Sequence, residues 1–394
     1  MKKTSEIVII GGGVIGTSIA YYLTKRGKEV VLIEKNDLAS GASGACDQDI
    51  ILQSKNPGIH LQLAMKSAEI YKTLEAELEH PIEYENTGGM ILIETQEELE
   101  IMRDFVKRQQ QIGLEVEILD LKQARKLQPG LSHHLVGSTY SPQDAHVNSI
   151  ELTLGFAKAA RKQGAGIMLH TEVVGIKQRN GRIQGVKTSR GDIDCEIVIN
   201  CAGAWAPKIA EMIGLTIPIK PRRGQIIVTE EVAPYVMGDV LSARYIVAKY
   251  NPDILKNSSD PGIKLGVGLS LSQTQKGNIL IGATREFVGY NTDVTRTGLK
   301  EILKNATRLV PGLKGMNIIR MFAGLRPYTP DGLPIIGPVE GIEGFFVAAG
   351  HEGDGIALSP VTGKIVSDLI VDGKTFMDVS RLALERFTKN NPKA

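Results

Sequence analysis

The amino-acid sequence predicts an α/β fold in which a strand–helix–strand unit opens the chain and a strand-rich block lies within it. Three observations predict this. A short β-branched run, Ile-Val-Ile-Ile at 7–10, passes directly into glycines and then into a helical stretch. Similar buried runs recur beside helical stretches near 195–200 and 345–349. The stretches 223–250 and 264–283 are instead rich in β-branched residues, with prolines near the edges of the first. At 394 residues the chain is long enough for more than one domain.

Taken in order, 7–10 reads as a buried parallel strand, 14–25 as a helix closed by Gly27, and 29–33 as a second buried strand. Helices are expected over 59–79 and, with an exposed charged face, over 97–111, and a strand over 89–93. Asn148 followed by Glu151 gives a capping-box-like start to a helix through Lys162. A strand resumes at 167–169, and Asn180-Gly181 turns a hairpin over 173–186. A buried strand covers 195–200. The polar stretch 251–262 reads as a loop, and 276–278 as a turn within the strands of 264–283. A helix over 298–309, a strand over 345–349 and a helix over 359–371 complete the chain.

The apolar and charged contents, 42% and 23%, are those of an ordinary globular protein. A formal net charge of +2 gives no reason to expect a nucleic-acid or membrane-surface partner. No apolar stretch is long enough for a transmembrane helix, and the glycines after residue 10 argue against a secretory signal. Cys46, Cys195 and Cys201 match no zinc spacing, so no metal is expected. They fit a reducing cytoplasm.

Gly11, Gly13 and Gly16 form a Gly-x-Gly-x-x-Gly turn between the first strand and helix. Gly11 permits the tight turn, Gly13 lets a pyrophosphate approach the backbone, and Gly16 lets helix and strand pack closely. Phosphates then meet the helix N-terminus. Glu34, ending the second strand, is placed to accept from ribose hydroxyls. The alternative is a merely structural glycine turn, but strand, helix, second strand and acidic residue all fit dinucleotide binding. The fingerprint alone does not separate NAD from FAD.

Further segments do. They are Gly-Ala-Ser at 41–43, Asn-Cys-Ala-Gly-Ala-Trp at 200–205, and Pro-Arg-Arg-Gly-Gln at 221–225. Ala-Gly-Leu-Arg-Pro-Tyr-Thr-Pro-Asp-Gly-Leu-Pro-Ile-Ile-Gly follows at 323–337, then Ala-Ala-Gly-His-Glu-Gly-Asp-Gly-Ile at 348–356. In this order they resemble the D-amino-acid oxidase superfamily of FAD enzymes over nearly the whole chain. Stretches 41–54 and 244–285 carry a narrower likeness to β-type catalytic subunits of dehydrogenases acting on hydroxyproline, proline, opines or sarcosine, and to the hydrogen cyanide synthase type. Glycine oxidase is also similar.

The resemblance implies a Rossmann-type, glutathione-reductase-like FAD domain from 1–85, 145–220 and 325–394. A mixed-sheet substrate domain from 86–144 and 221–324 is inserted into it. It implies that Arg326 clamps a substrate carboxylate, a task suited to a planar guanidinium that keeps its charge; the plain alternative is a structural salt bridge. Tyr245 matches a substrate-contacting tyrosine. Gly353 stands where glycine oxidase has a second carboxylate-binding arginine, which points to a different or larger substrate. For FAD, the resemblance implies contacts from Gly11, Gly13, Val14, Ile15 and Gly16, then from Glu34 and Lys35. Gly41, Ala42, Ser43, Cys46 and Asp47 follow, with Cys46 and Asp47 near the isoalloxazine. A backbone group of Val173 or Val174, with Cys201, Ala202 and Gly203, is expected toward the adenine, and Gly353, Asp354, Gly355 and Ile356 against the flavin ring. No cysteine occurs in the late motif where monomeric sarcosine oxidase attaches its flavin, so FAD is expected to be non-covalent.

The implied reaction is oxidation of a small amino acid or secondary amine acid by hydride transfer from Cα to flavin N5. Electrons then pass to a partner subunit or a carrier. No protein nucleophile or catalytic base is expected. The alternatives are an oxidase using O₂, a non-catalytic FAD electron-transfer subunit and, more distantly, an NAD-dependent dehydrogenase.

Overall fold

A computed structural model describes residues 3–244, 246 and 259–389. The N-terminal unit forms as its pattern predicts, with strand Ile7–Ile10, helix Val14–Lys25 and strand Val30–Ile33. All eight strand residues are buried, because both faces of this sheet are covered by other elements. The sheet has six strands, in the order Ile335–Pro338, Phe345–Ala349, Ile197–Asn200, Ile7–Ile10, Val30–Ile33 and Gly166–Met168. Every pairing in it is parallel except that of the first two strands. Helices Val14–Lys25, Ile59–Leu78, Ser149–Lys162 and Gly355–Asp372 contribute to the apolar core on one face, centred on Ile9, Ile19, Leu32, Phe156 and Val361. At 148–151 the cap is one-sided. Asn148 accepts from the amides of Ile150 and Glu151, while the Glu151 carboxylate turns to His80 at 2.9 Å.

A second, eight-stranded sheet holds Gly89–Ile93, Glu117–Asp120 and Gly137–Ser141 together with strands drawn from 220–328. It is mixed. Gly89–Ile93 runs parallel to Asp239–Ser242, and its other ladders are antiparallel. Helix Arg296–Leu309 packs its apolar stripe, including Ile302, Ala306 and Leu309, against one face. The fold class is therefore a Rossmann-type unit with an inserted mixed-sheet domain. Strand Ile318–Tyr328 pairs with Lys220–Glu231 through Arg326↔Arg222 and Tyr328↔Lys220, so the second sheet extends through Tyr328. This long ladder carries Arg326 from the inserted sheet toward the first domain.

Candidate active site

The glycine turn builds one end of a long cleft. Gly11 has φ +116°, a left-handed conformation that glycine adopts without strain. A Cβ at Gly16 would run into the Gly11 carbonyl oxygen, which keeps the helix tight against the strand. The helix N-terminus has no side-chain cap at Gly13, and the Val14 amide donates to Ser43 Oγ at 3.0 Å. Glu34 is fixed by two amides, from Gly12 at 2.7 Å and Asn36 at 2.8 Å. This gives an anion-accepting helix start and an oriented carboxylate, the two features an adenosine diphosphate moiety requires.

From there the cleft runs past Gly41, Ala42 and Ser43 to Cys46 and Asp47, with Cys201, Ala202 and Gly203 opposite. Lys35 and Trp205 flank its outer end, the ammonium 5.2 Å from the indole centroid. Its inner end is closed by Gly353, Gly355 and Ile356 at the start of helix Gly355–Asp372, and by Arg326. Of the residues expected at FAD, Gly11, Gly13, Val14, Ile15, Glu34 and Lys35 line this cleft, as do all those from 41–43, 46–47 and 201–203. Three do not line it. Gly16 acts through packing. Val174 is 56% exposed on strand Val173–Arg179, and of the two expected positions it is Val173 that lines the wall. Asp354 lines a second, adjoining cavity. Tyr245 lies outside the described residues.

Arg326, Asp47, Glu352 and Gly353 line both the cleft and this second cavity, so the two spaces meet at these residues. Arg326 Nη1 donates to the Thr284 carbonyl at 3.0 Å, which steers the guanidinium across Gly224, where any Cβ would collide with it. Glu352 accepts from Arg222; burial pushes its carboxyl up, but Arg222 and Arg326 outweigh that and hold it low. A Cβ at Gly353 would only touch Arg326, at 3.6 Å, so the space beside the guanidinium is open there.

Lys55 and His60, which local sequence pattern does not single out, also line the second cavity. Their side chains are 3% and 4% exposed, and they reach Asp354 at 2.6 and 3.0 Å. Burial alone would raise the Asp354 carboxyl. Lys55 and His60 reverse that and hold it well below the usual carboxylate range. His351, buried against Thr362 at 3.1 Å, is pushed down to about 3 by burial, so it is neutral at physiological pH. The Cys46 thiol is pushed up to about 12, by burial first and Asp47 second.

Residues 6–369 match the family model described as DAO, FAD dependent oxidoreductase. The chain belongs to this FAD-dependent oxidoreductase family. Its cofactor is FAD, and the cleft described above fits that group along its length. Among curated relatives, hydrogen cyanide synthase subunit HcnC of Pseudomonas aeruginosa is 29% identical, covering 98% of this chain and 97% of the relative. Glycine oxidase of Geobacillus kaustophilus is 31% identical, with 98% of each chain covered. Among solved structures, L-proline dehydrogenase from P. horikoshii superposes with a TM-score of 0.89 at 31% identity, with 99% of each chain covered. No helix among the described residues is long and apolar enough to cross a membrane.

Proposed function

We propose that the chain oxidises a small amino acid or secondary amine acid bound in the second cavity. The observation that carries this is the position of Arg326, at the junction of that cavity with the cofactor cleft. A carboxylate paired with its guanidinium holds the substrate's α-carbon next to the cofactor, and such positioning supplies much of the rate effect. Bound FAD supplies the two-electron acceptor, as a hydride acceptor at N5. Gly353 leaves room beside Arg326, which favours an N-substituted or cyclic acid such as sarcosine or proline over glycine alone.

Non-covalent FAD binding is supported by the state of the cysteines. Cys46 hydrogen bonds to Ser149 Oγ at 3.4 Å and stays a thiol, and burial likewise pushes Cys201 up. A protonated thiol is a poor nucleophile. The likeness to a synthase subunit supports electron transfer to a partner subunit or carrier instead of O₂. The three free cysteines and the absence of a long apolar helix among the described residues support a cytoplasmic setting.

Arg326→Ala tests the reading. Loss of a charge-assisted hydrogen bond costs about 1.5–3 kcal/mol, so kcat/KM for amino acids should fall at least about tenfold. FAD content should stay unchanged, and amines lacking a carboxylate should lose nothing further. Unchanged kinetics toward carboxylate substrates would remove Arg326 from the site.

A further inference from the structure

Asp47, Asp49 and Ser270 meet at the floor of the second cavity, and all three line it. Ser270 Oγ stands 2.9 Å from Asp47 Oδ2 and 2.9 Å from Asp49 Oδ2. A serine hydroxyl has one hydrogen and can donate to only one of them. For both contacts to be hydrogen bonds, one carboxyl must carry a proton and donate to Oγ. The surroundings favour Asp49 as its holder. Burial, then Asp47, push the Asp49 carboxyl well above the usual range, against smaller lowering by Ser270, Ser272 and Lys55. Asp49 Oδ1 is shielded from solvent and has no hydrogen-bond partner among the described residues. The neighbouring Asp239 carboxyl, fully buried, is likewise pushed well above the usual range, by burial first and then by Asp49, Asp144 and Asp47.

With the proton on Asp49, the Ser270 hydrogen points to Asp47, which remains a carboxylate. Asp47 also lines the cofactor cleft, so it faces the junction that Arg326 shares. His60, 4% exposed and lining the same cavity, has Nδ1 without a hydrogen-bond partner among the described residues. A polar ligand is therefore the fitting occupant.

We propose that Asp47, oriented by Ser270 and a protonated Asp49, accepts the ammonium proton of the amino-acid substrate before oxidation. This rests on the function proposed above. An amino acid arrives as an ammonium cation, and its nitrogen lone pair must be free before the Cα–H bond gives up its electron pair. One N–H bond breaks and one O–H bond forms at Asp47. The amine becomes neutral and the carboxylate becomes a carboxylic acid. FAD, when held in the cleft, would supply the two-electron acceptor, so that loss of hydride from Cα of the neutral amine would leave an iminium and charge and electrons would balance. Arg326 holds one end of the substrate and Asp47 the other, with the opposite charge. The other titratable and charged groups around the pair are Lys55, His60, Arg222, Arg285, Arg326, Asp331, Glu352 and Asp354 on the cavity wall and Cys46, Asp144, Asp239 and His146 behind it.

Two isosteric variants test it, with FAD absorbance as the check on folding. Anaerobic rates of flavin bleaching by L-proline, sarcosine and glycine are measured against pH. Positioned proton transfer contributes about 10²–10⁴-fold, so Asp47→Asn should slow bleaching about a hundredfold near neutral pH. The loss should shrink only as the pH rises through about 10.4, the ordinary value of an alkylammonium, above which the amine is free of its proton without help. A rate profile parallel to the wild type overturns the proposal. The second readout needs no turnover. The infrared difference between wild type and Asp49→Asn should contain the carbonyl stretch of a shielded COOH group, moving in D₂O, and the Asp47→Asn protein should retain that band. Its absence from the difference spectrum overturns the assignment of the proton to Asp49. If no amino acid bleaches the wild-type flavin, the functional reading fails, and the infrared comparison still decides the protonation pattern.

Discussion

Lys55→Met probes the charges beside the start of helix Gly355–Asp372, whose first residues line the cleft. The Lys55 ammonium, 3% exposed, donates to the Ile51 carbonyl at 2.7 Å and Ser54 Oγ at 2.9 Å, and meets Asp354 Oδ1 at 2.6 Å. Methionine has a similar length and volume, so packing is largely kept while the charge is lost. Removing one partner of a buried ion pair costs about 3–5 kcal/mol. Asp354 is 19% exposed and keeps His60 at 3.0 Å, which places the expected loss near the lower end, about 3 kcal/mol. The pH dependence follows from the depressed Asp354 carboxyl. Its stabilisation is complete above the unfolded value, about 4, and is lost as pH falls through the lower folded value. The difference between variant and wild type should therefore be largest near neutrality and shrink in strong acid. Urea unfolding at fixed protein and FAD concentrations measures it. A loss under about 1 kcal/mol near neutral pH, or one that does not shrink in acid, would refute the charge arrangement.

Gly13→Ala places a methyl 3.2 Å from Ser43 Oγ at the phosphate end of the cleft, and fluorescence titration of the apoprotein should show weaker FAD binding; equal affinity would count against the fingerprint. His351, held neutral with its value near 3, binds its proton more readily in the unfolded chain, so between about pH 6.5 and 3 it should cost up to about 1.4 kcal/mol per pH unit of acidification. His351→Asn should flatten that part of the stability–pH curve, and an unchanged slope would show that the imidazole is protonated in the folded state. Flavin bleached by substrate should recover slowly in air and quickly with a dye acceptor; stopped-flow recovery in air at the turnover rate, with peroxide formed, would favour the oxidase alternative.

The N-terminal unit was legible because its signals are local. A β-branched run, a glycine spacing and an acidic residue fall within 7–34, and each needs only its neighbours to be read. Strand Ile318–Tyr328 was not. It contains Gly324 and Pro327, which read as breakers, yet it lies at the edge of its sheet, where proline costs no central ladder bond. The last helix begins at Gly355, four residues before the expected start, with Pro360 inside it. Proline cannot donate to the Ile356 carbonyl, which instead accepts from the Tyr71 hydroxyl at 2.6 Å and Ser359 Oγ at 3.1 Å. No local pattern foretells that tertiary substitute. The same holds for the site. Glu34 and Arg326 stand in recognisable motifs, whereas Lys55, His60 and Ser270 join Asp354, Asp47 and Asp49 only through the folded chain. The Cys-Asp-Gln-Asp stretch at 46–49 was visible, but not its serine partner 221 residues beyond Asp49.

The most direct test of the central claim is anaerobic titration of the yellow holoprotein with a panel of amino and secondary amine acids, followed by its visible spectrum. At least one small acid of the proline, hydroxyproline, sarcosine, glycine or opine type should bleach the flavin stoichiometrically in the wild type, and the same acid should fail to do so at comparable concentration in Arg326→Ala. A wild-type spectrum unmoved by every member of the panel, from protein carrying full FAD, would contradict the assignment of an amino-acid-oxidising site.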